Sequence, residues 1–164
     1  MLGKLHAGEL DVGILALPIE LEGLESRELY REEFLLAVPD RHRLASHERV
    51  RIADLREEQV LLLEEGHCLR DQALEVCSRV GVHDSQDFRA TSLETLRQMV
   101  AAGAGVTLLP ELAGRGAYRS GRGVALRPFV RPAPARQVGG VWRRTTPRGA
   151  AIEAVTELIV QHAP

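Results

Sequence analysis

Cysteine is scarce in this chain: the 164 residues include two, Cys68 and Cys77. With no other sulfur nucleophile present, any redox chemistry must run through that pair. Long apolar runs are missing as well, since nothing approaches the roughly 18 consecutive apolar residues of a membrane span. The opening Met1-Leu2-Gly3-Lys4-Leu5-His6 has no basic segment followed by an apolar core, so it does not read as a secretory signal. The expectation is a reducing, cytoplasmic setting, where two cysteines are more often free, catalytic or sensing than a structural staple. A surplus of one charge is lacking too. The formal net charge of −2 argues against the chain binding nucleic acid by itself. Internal repeats and low-complexity tracts are absent.

What is present is ordinary for a soluble globular protein. Apolar residues make up 45% and charged residues 27%, and the length suits one domain or two small interleaved lobes. The charge is unevenly placed. Between residues 112 and 149 lie nine arginines (Arg115, Arg119, Arg122, Arg127, Arg131, Arg136, Arg143, Arg144 and Arg148) and no Asp or Glu. Such a run can be an anion-facing or partner-facing patch. It can also be a solvated face with salt bridges to the acidic first half, which is the preferred reading.

Short apolar runs predict strands at 10–17, 24–30, 34–38, 60–63, 88–90, 106–110, 124–127 and 138–142, several of them closed by proline. Residues 40–49 read as loop and 52–56 as one helical turn. Leu69, Ala73, Val76 and Val80 recur at steps of three and four and predict a helix that Gly81 ends. Thr91-Ser92-Leu93-Glu94 has a hydroxyl followed three residues on by a glutamate, the pattern of a capping box. It opens a helix with Leu93, Leu96 and Val100 on one stripe, closing near Gly103. A last amphipathic helix covers 147–160 with Ile152, Val155 and Ile159 on one face. Residues 114–123 and 128–134 read as loops. Strands alternating with helices predict an α/β architecture.

Cys68 sits in Gly66-His67-Cys68-Leu69-Arg70-Asp71, where a strand hands over to a helix. Free backbone N–H groups and the positive end of the helix dipole favour a thiolate there. Arg70 and His67 act in the same sense and Asp71 opposes them; such surroundings lower a thiol pKa from near 8.5 to roughly 3.5–7.5. Cys77 falls mid-helix. Nine residues of continuous helix advance the chain by roughly 13.5 Å and turn the two side chains to opposite faces. A disulfide needs Cα atoms within roughly 7 Å. The two cysteines cannot bond while that helix is intact, which suits a switch in which oxidation remodels the backbone. Against this stands the plainer reading of buried cysteine as a small hydrophobe.

The motif from Gly66 to Ala73, with Cys77 nine residues after Cys68, resembles the hydrogen-peroxide-sensing branch of the LysR-type transcriptional regulators. Gly8-Glu9-Leu10-Asp11, Phe88-Arg89-Ala90-Thr91-Ser92-Leu93-Glu94-Thr95-Leu96-Arg97, Met99-Val100-Ala101-Ala102-Gly103 and Thr107-Leu108-Leu109-Pro110 extend the resemblance over nearly the whole chain. It implies a periplasmic-binding-protein-like (type 2) effector domain of two α/β lobes. The first lobe would comprise 1–29 plus 137–164 and be incomplete, lacking a first strand, helix and second strand. The second, redox-active lobe would comprise 30–136. The resemblance also implies a peroxidatic Cys68 oxidised to sulfenic acid and a resolving Cys77, supported by His67, Arg70, Asp71 and Arg136. The implied partners are hydrogen peroxide, a glutaredoxin- or thioredoxin-type reductant, further copies of the chain in a homodimer or homotetramer, and RNA polymerase. Promoter DNA would be reached only through a helix-turn-helix domain that this sequence does not contain. No cofactor, metal or membrane is implied.

Two other readings stay open. A LysR-type domain could bind a small metabolite between its lobes, with the cysteines incidental. A thiol peroxidase would share the first chemical step, but Cys-x-x-Cys and a thioredoxin-like opening are missing. A metal site built from His67, Cys68, Cys77 and His83 does not fit the usual paired spacings. His6, His42, His47 and His162 read as surface residues, and Trp142 as core or lobe interface.

Overall fold

The structure, a computed structural model, describes residues 1–66, 68–82, 89–115 and 123–163. In chain order the elements are α1 (Leu2–Ala7), β1 (Val12–Leu17), β2 (Leu24–Pro39), two 3-10 turns (Arg43–Ser46 and Ile52–Glu57), β3 (Leu62–Leu63), α2 (Cys68–Ser78), β4 (Arg89–Ala90), α3 (Leu93–Ala101), β5 (Thr107–Pro110), a third 3-10 turn (Glu111–Gly114), β6 (Val124–Pro128), β7 (Ala135–Arg143) and α4 (Gly149–His162). They divide into two units, Met1–Glu32 with Ala135–Pro164, and Glu33–Pro134.

In the first unit β7 runs between β1 and β2. It pairs antiparallel with β1 from Val12↔Trp142 to Leu17↔Gln137. Leu5, Leu24 and Val141 form the centre of its core, with Leu2, Leu10, Leu15, Leu17 and Ile19 packed around them. The short helix α1 was not expected from sequence; it buries only Leu5. On α4 the buried positions are Ile152 and Thr156, whereas Val155 is 50% exposed. The expected stripe through Val155 is therefore corrected. Thr156 takes the inward place because its hydroxyl is satisfied by the Glu153 carbonyl (2.9 Å).

The two strands expected at 24–30 and 34–38 are one continuous strand, β2. Arg31-Glu32-Glu33 reads as a polar break, yet Glu32 is buried, its carboxylate held by the Arg136 guanidinium at 2.7 and 2.8 Å. A buried carboxylate with a bidentate arginine can stay in a strand that an unpaired one would disrupt.

In the second unit the later part of β2 lies between β5 and β6, antiparallel to both. Phe34, Leu36, Ala37 and Val38 of β2 are buried there with Leu61, Leu96, Val100, Leu108 and Phe129. β3 and β4 form a short parallel pair, Leu62↔Arg89 and Leu63↔Ala90. The strand expected over 60–63 narrows to β3, with Val60 making an isolated bridge to Val106. Residues 40–49 hold a 3-10 turn, Arg43–Ser46, that His42 caps by accepting the Leu44 N–H at 3.3 Å. His42 also meets Glu58 at 3.0 Å, so it is no idle surface residue.

The helix expected after Thr91 is α3, but its cap is Ser92, whose hydroxyl accepts the Thr95 N–H at 3.1 Å. Glu94 does not complete a capping box. It receives hydrogen bonds from Arg97 at 2.7 and 3.0 Å and from Gln98 at 2.8 Å. Among the described residues no helix is long and apolar enough to cross a membrane.

Candidate functional site

β3 leads through Glu64, whose N–H donates to the Ala90 carbonyl at 3.0 Å, into a turn at Glu65 and Gly66. Gly66 has φ of +91°, a conformation that costs a side-chain-bearing residue strain. The sharp reversal there brings α2 in directly after β3. Cys68 is the first residue of that helix and is exposed. His67 lies outside the described residues.

Helix α2 buries Leu69, Ala73, Val76 and Cys77, with Val80 partly buried just beyond its end. Counting about 100° per residue, Cys77 falls on the flank of the stripe and Cys68 outside it. Both thiols are free. One faces solvent; the other is 1% exposed. Burial pushes the Cys77 pKa from 9.0 to about 11, so this sulfur is held as a thiol. Since α2 is continuous from Cys68 to Ser78, the two Cα atoms are separated by roughly 13.5 Å along the axis, about twice what a disulfide spans.

Arg70 and Asp71 occupy the first turn with their charged groups 3.8 Å apart. Their burial differs: the Arg70 side chain is 12% exposed and that of Asp71 77%. Arg70 shares the lining of a small cavity with Leu62, Leu63, Leu69, Ala73, Leu96, Thr107 and Leu108. Arg136 lies on β7, in the first unit, and holds Glu32. Next to this pair, burial and the Glu32 carboxylate raise the pKa of Tyr30, partly offset by Arg136. Cys68, Arg70, Asp71 and Cys77 thus share one helix, and Arg136 belongs to a strand of the first unit. The sequence did not single out Glu32, the partner that holds Arg136. The only sequence signal was a carboxylate between two strand-forming runs.

Among the described residues, six of the seven arginines of this stretch make internal contacts, and Arg131 is exposed. Arg115, Arg136, Arg144 and Arg148 pair with Glu111, Glu32, Glu25 and Asp11. Arg127 and Arg143 donate to backbone carbonyls of Ala45 and Leu10. Arg119 and Arg122 lie outside the described residues. Among the described residues no three His, Cys, Asp or Glu side chains converge as metal ligands; His83 lies outside them. Trp142 is a core residue, 8% exposed.

A family model for the LysR substrate binding domain matches residues 1–164. The chain belongs to that family. Among related LysR-type proteins, OxyR of Escherichia coli (strain K12), a DNA-binding transcriptional dual regulator, is 46% identical over 159 residues, covering 97% of this chain and 52% of the relative. A crystal structure of the reduced form of OxyR superposes with a TM-score of 0.85 at 44% identity, covering 98% of this chain and 74% of that one. The oxidised form of OxyR gives a TM-score of 0.83 at 46% identity, covering 98% and 75%. This LysR-type domain spans about half the length of the curated relatives it matches. Its fold is the mixed α/β, type 2 periplasmic-binding-protein-like fold of the family, as the resemblance implied. The resemblance to the peroxide-sensing branch is borne out by the OxyR relatives.

Proposed function

We propose that this chain is the redox-sensing regulatory domain of a hydrogen-peroxide-responsive transcriptional activator, switched by a reversible Cys68–Cys77 disulfide. The observation that carries the reading is the arrangement of the two thiols: one exposed where α2 begins, one buried in the same unbroken helix. The existence of reduced and oxidised forms of its OxyR relatives supports it.

The chemistry runs in two steps. The Cys68 thiolate attacks one peroxide oxygen; the O–O bond breaks, hydroxide leaves and takes up the proton the thiol had released, so that water forms and Cys68 becomes a sulfenic acid. The Cys77 sulfur then attacks the Cys68 sulfur; the S–O bond breaks, a second water leaves, and the disulfide forms. Two electrons pass from the thiol pair to peroxide. The exposed first thiol can meet peroxide without any structural change. The second step needs α2 to unwind, because the sulfurs start on opposite faces and far apart. Oxidation is thereby converted into a change of fold around residues 68–82.

In this reading His67, Arg70 and Asp71 support the reactive thiol, and the two units are the two regulatory lobes, with the redox pair in the second. The chain reacts once and waits for a glutaredoxin- or thioredoxin-type reductant, so it is a sensor and not a peroxidase. Further copies of the chain, RNA polymerase and promoter DNA complete the set of partners, in the cytoplasm. Thiol mass spectrometry after one equivalent of peroxide tests the roles. Cys68→Ser should leave Cys77 unoxidised, and Cys77→Ser should stop at sulfenic acid or a mixed disulfide. Oxidation of Cys77 in the Cys68→Ser chain would overturn the assignment.

A further inference from the structure

The end of α2 is closed by three backbone hydrogen bonds. The Cys77 carbonyl accepts from the N–H of Val80 and of Val82, each at 3.1 Å, and the Ser78 carbonyl accepts from Gly81 at 3.1 Å. Gly81 has φ of +76°, which makes this a left-handed C-terminal cap. The residue whose sulfur must leave the core is therefore also the residue whose carbonyl anchors the cap. A further group reaches the cap from outside the helix. Arg56, in the 3-10 turn Ile52–Glu57, donates its Nε–H to the Val80 carbonyl at 3.1 Å. A guanidinium there satisfies a carbonyl that the helix leaves open and sits at the negative end of the helix dipole.

We propose that Arg56 is a positioning residue for the resolving step: by tying down the cap it keeps Cys77 buried and sets how long the Cys68 sulfenic acid persists before the disulfide forms. This rests on the redox reading above. The bond balance is that of the second step there, with Cys77 sulfur bonding Cys68 sulfur as the S–O bond breaks and water leaves. Before that attack the three backbone bonds and the Arg56 tie must open. Arg56 acts at the far end of an eleven-residue helix from Cys68, roughly 16 Å along the axis, so the first step proceeds without it. It also places a slow step between peroxide attack and the fold change, so that a brief encounter with peroxide need not commit the chain.

The test follows both steps after one equivalent of hydrogen peroxide, in the unchanged chain and in Arg56→Ala and Arg56→Lys. A sulfenic-acid trap with quenched mass spectrometry reads each species. Loss of the Cys68 thiol should proceed at the same rate in all three. In Arg56→Ala the disulfide should form faster and less trapped sulfenic acid should accumulate, by roughly threefold to tenfold, as for the loss of one exposed charge-assisted hydrogen bond. Arg56→Lys, which can still donate to the carbonyl, should recover most of the difference. Amide exchange at Val80, Gly81 and Val82 in the reduced chain, a readout independent of redox chemistry, should quicken in Arg56→Ala and return towards normal in Arg56→Lys. Equal disulfide rates in Arg56→Ala and the unchanged chain would overturn the role of Arg56 and leave the redox reading standing. A chain in which Cys68 and Cys77 never bond would overturn both.

Discussion

Cys77 keeps its proton because the core around it penalises a charged sulfur, which raises its pKa from 9.0 to about 11. The folded chain thus holds this proton more tightly than the unfolded one. Stability from this source is complete below about pH 9 and is lost as the pH rises through about 11. Chemical denaturation of the reduced chain should show falling stability across that window, and Cys77→Ala should flatten the fall. Tyr30, also raised by burial, adds a loss of the same sign that the Cys77→Ala comparison subtracts. An identical pH profile in both chains would refute the burial argument. Glu32 presents the same physics with the charge retained. Its side chain is fully buried and the Arg136 side chain is 21% exposed. Removing the carboxylate in Glu32→Ala should cost about 3 kcal/mol, the lower end for breaking a buried pair because Arg136 keeps some access to water. A urea titration checks it, and a loss under about 1 kcal/mol would place the pair in the weak class of exposed bridges.

At the level of elements, α3 offers a clean test of local sequence logic. Ser92→Ala removes the side-chain acceptor for the Thr95 N–H and should cost about 1 kcal/mol, whereas Thr91→Ala should cost much less. The sequence placed this helix correctly through Leu93, Leu96 and Val100, because a stripe at steps of three and four survives any tertiary context. It misplaced the cap by one residue, because the glutamate three residues on pointed to Thr91, whereas the backbone sets the Ser92 hydroxyl against the Thr95 N–H. Glu94 gives the acid side of the same helix. Hydrogen bonds from Arg97 and Gln98 hold its pKa down at about 2, so its contribution is present above the ordinary carboxylate range and fades as the pH falls towards 2. For β2 the sequence failed for a different reason. The contact that keeps Glu32 in the strand comes from Arg136, 104 residues away, and no local window contains it. The α4 stripe was misread because Thr156, not Val155, found a partner for its inward face. At the candidate site, the turn into α2 and its cysteine spacing were legible, since glycine, thiol and helical periodicity are all local signals. The burial of Cys77, the withdrawal of Arg70 and the tie from Arg56 were not, because each depends on what packs against the helix.

For the molecule as a whole, the proposed switch sets the reduced fold and the disulfide in competition for the same stretch of backbone. Whatever stabilises α2 stabilises the dithiol form and makes the disulfide a stronger oxidant, by about 30 mV for each 1.4 kcal/mol. The core of the second unit, from Phe34 to Ala133, packs against one face of α2 and, in the proposed switch, weights the dithiol form. The most direct test is amide hydrogen exchange over residues 68–82, measured alongside thiol mass spectrometry before and after one equivalent of hydrogen peroxide. The account predicts a Cys68–Cys77 disulfide, a loss of two mass units, and the disappearance of α2 protection in the same molecules, with both reversed by a dithiol reductant. A disulfide formed while α2 keeps its protection would contradict it.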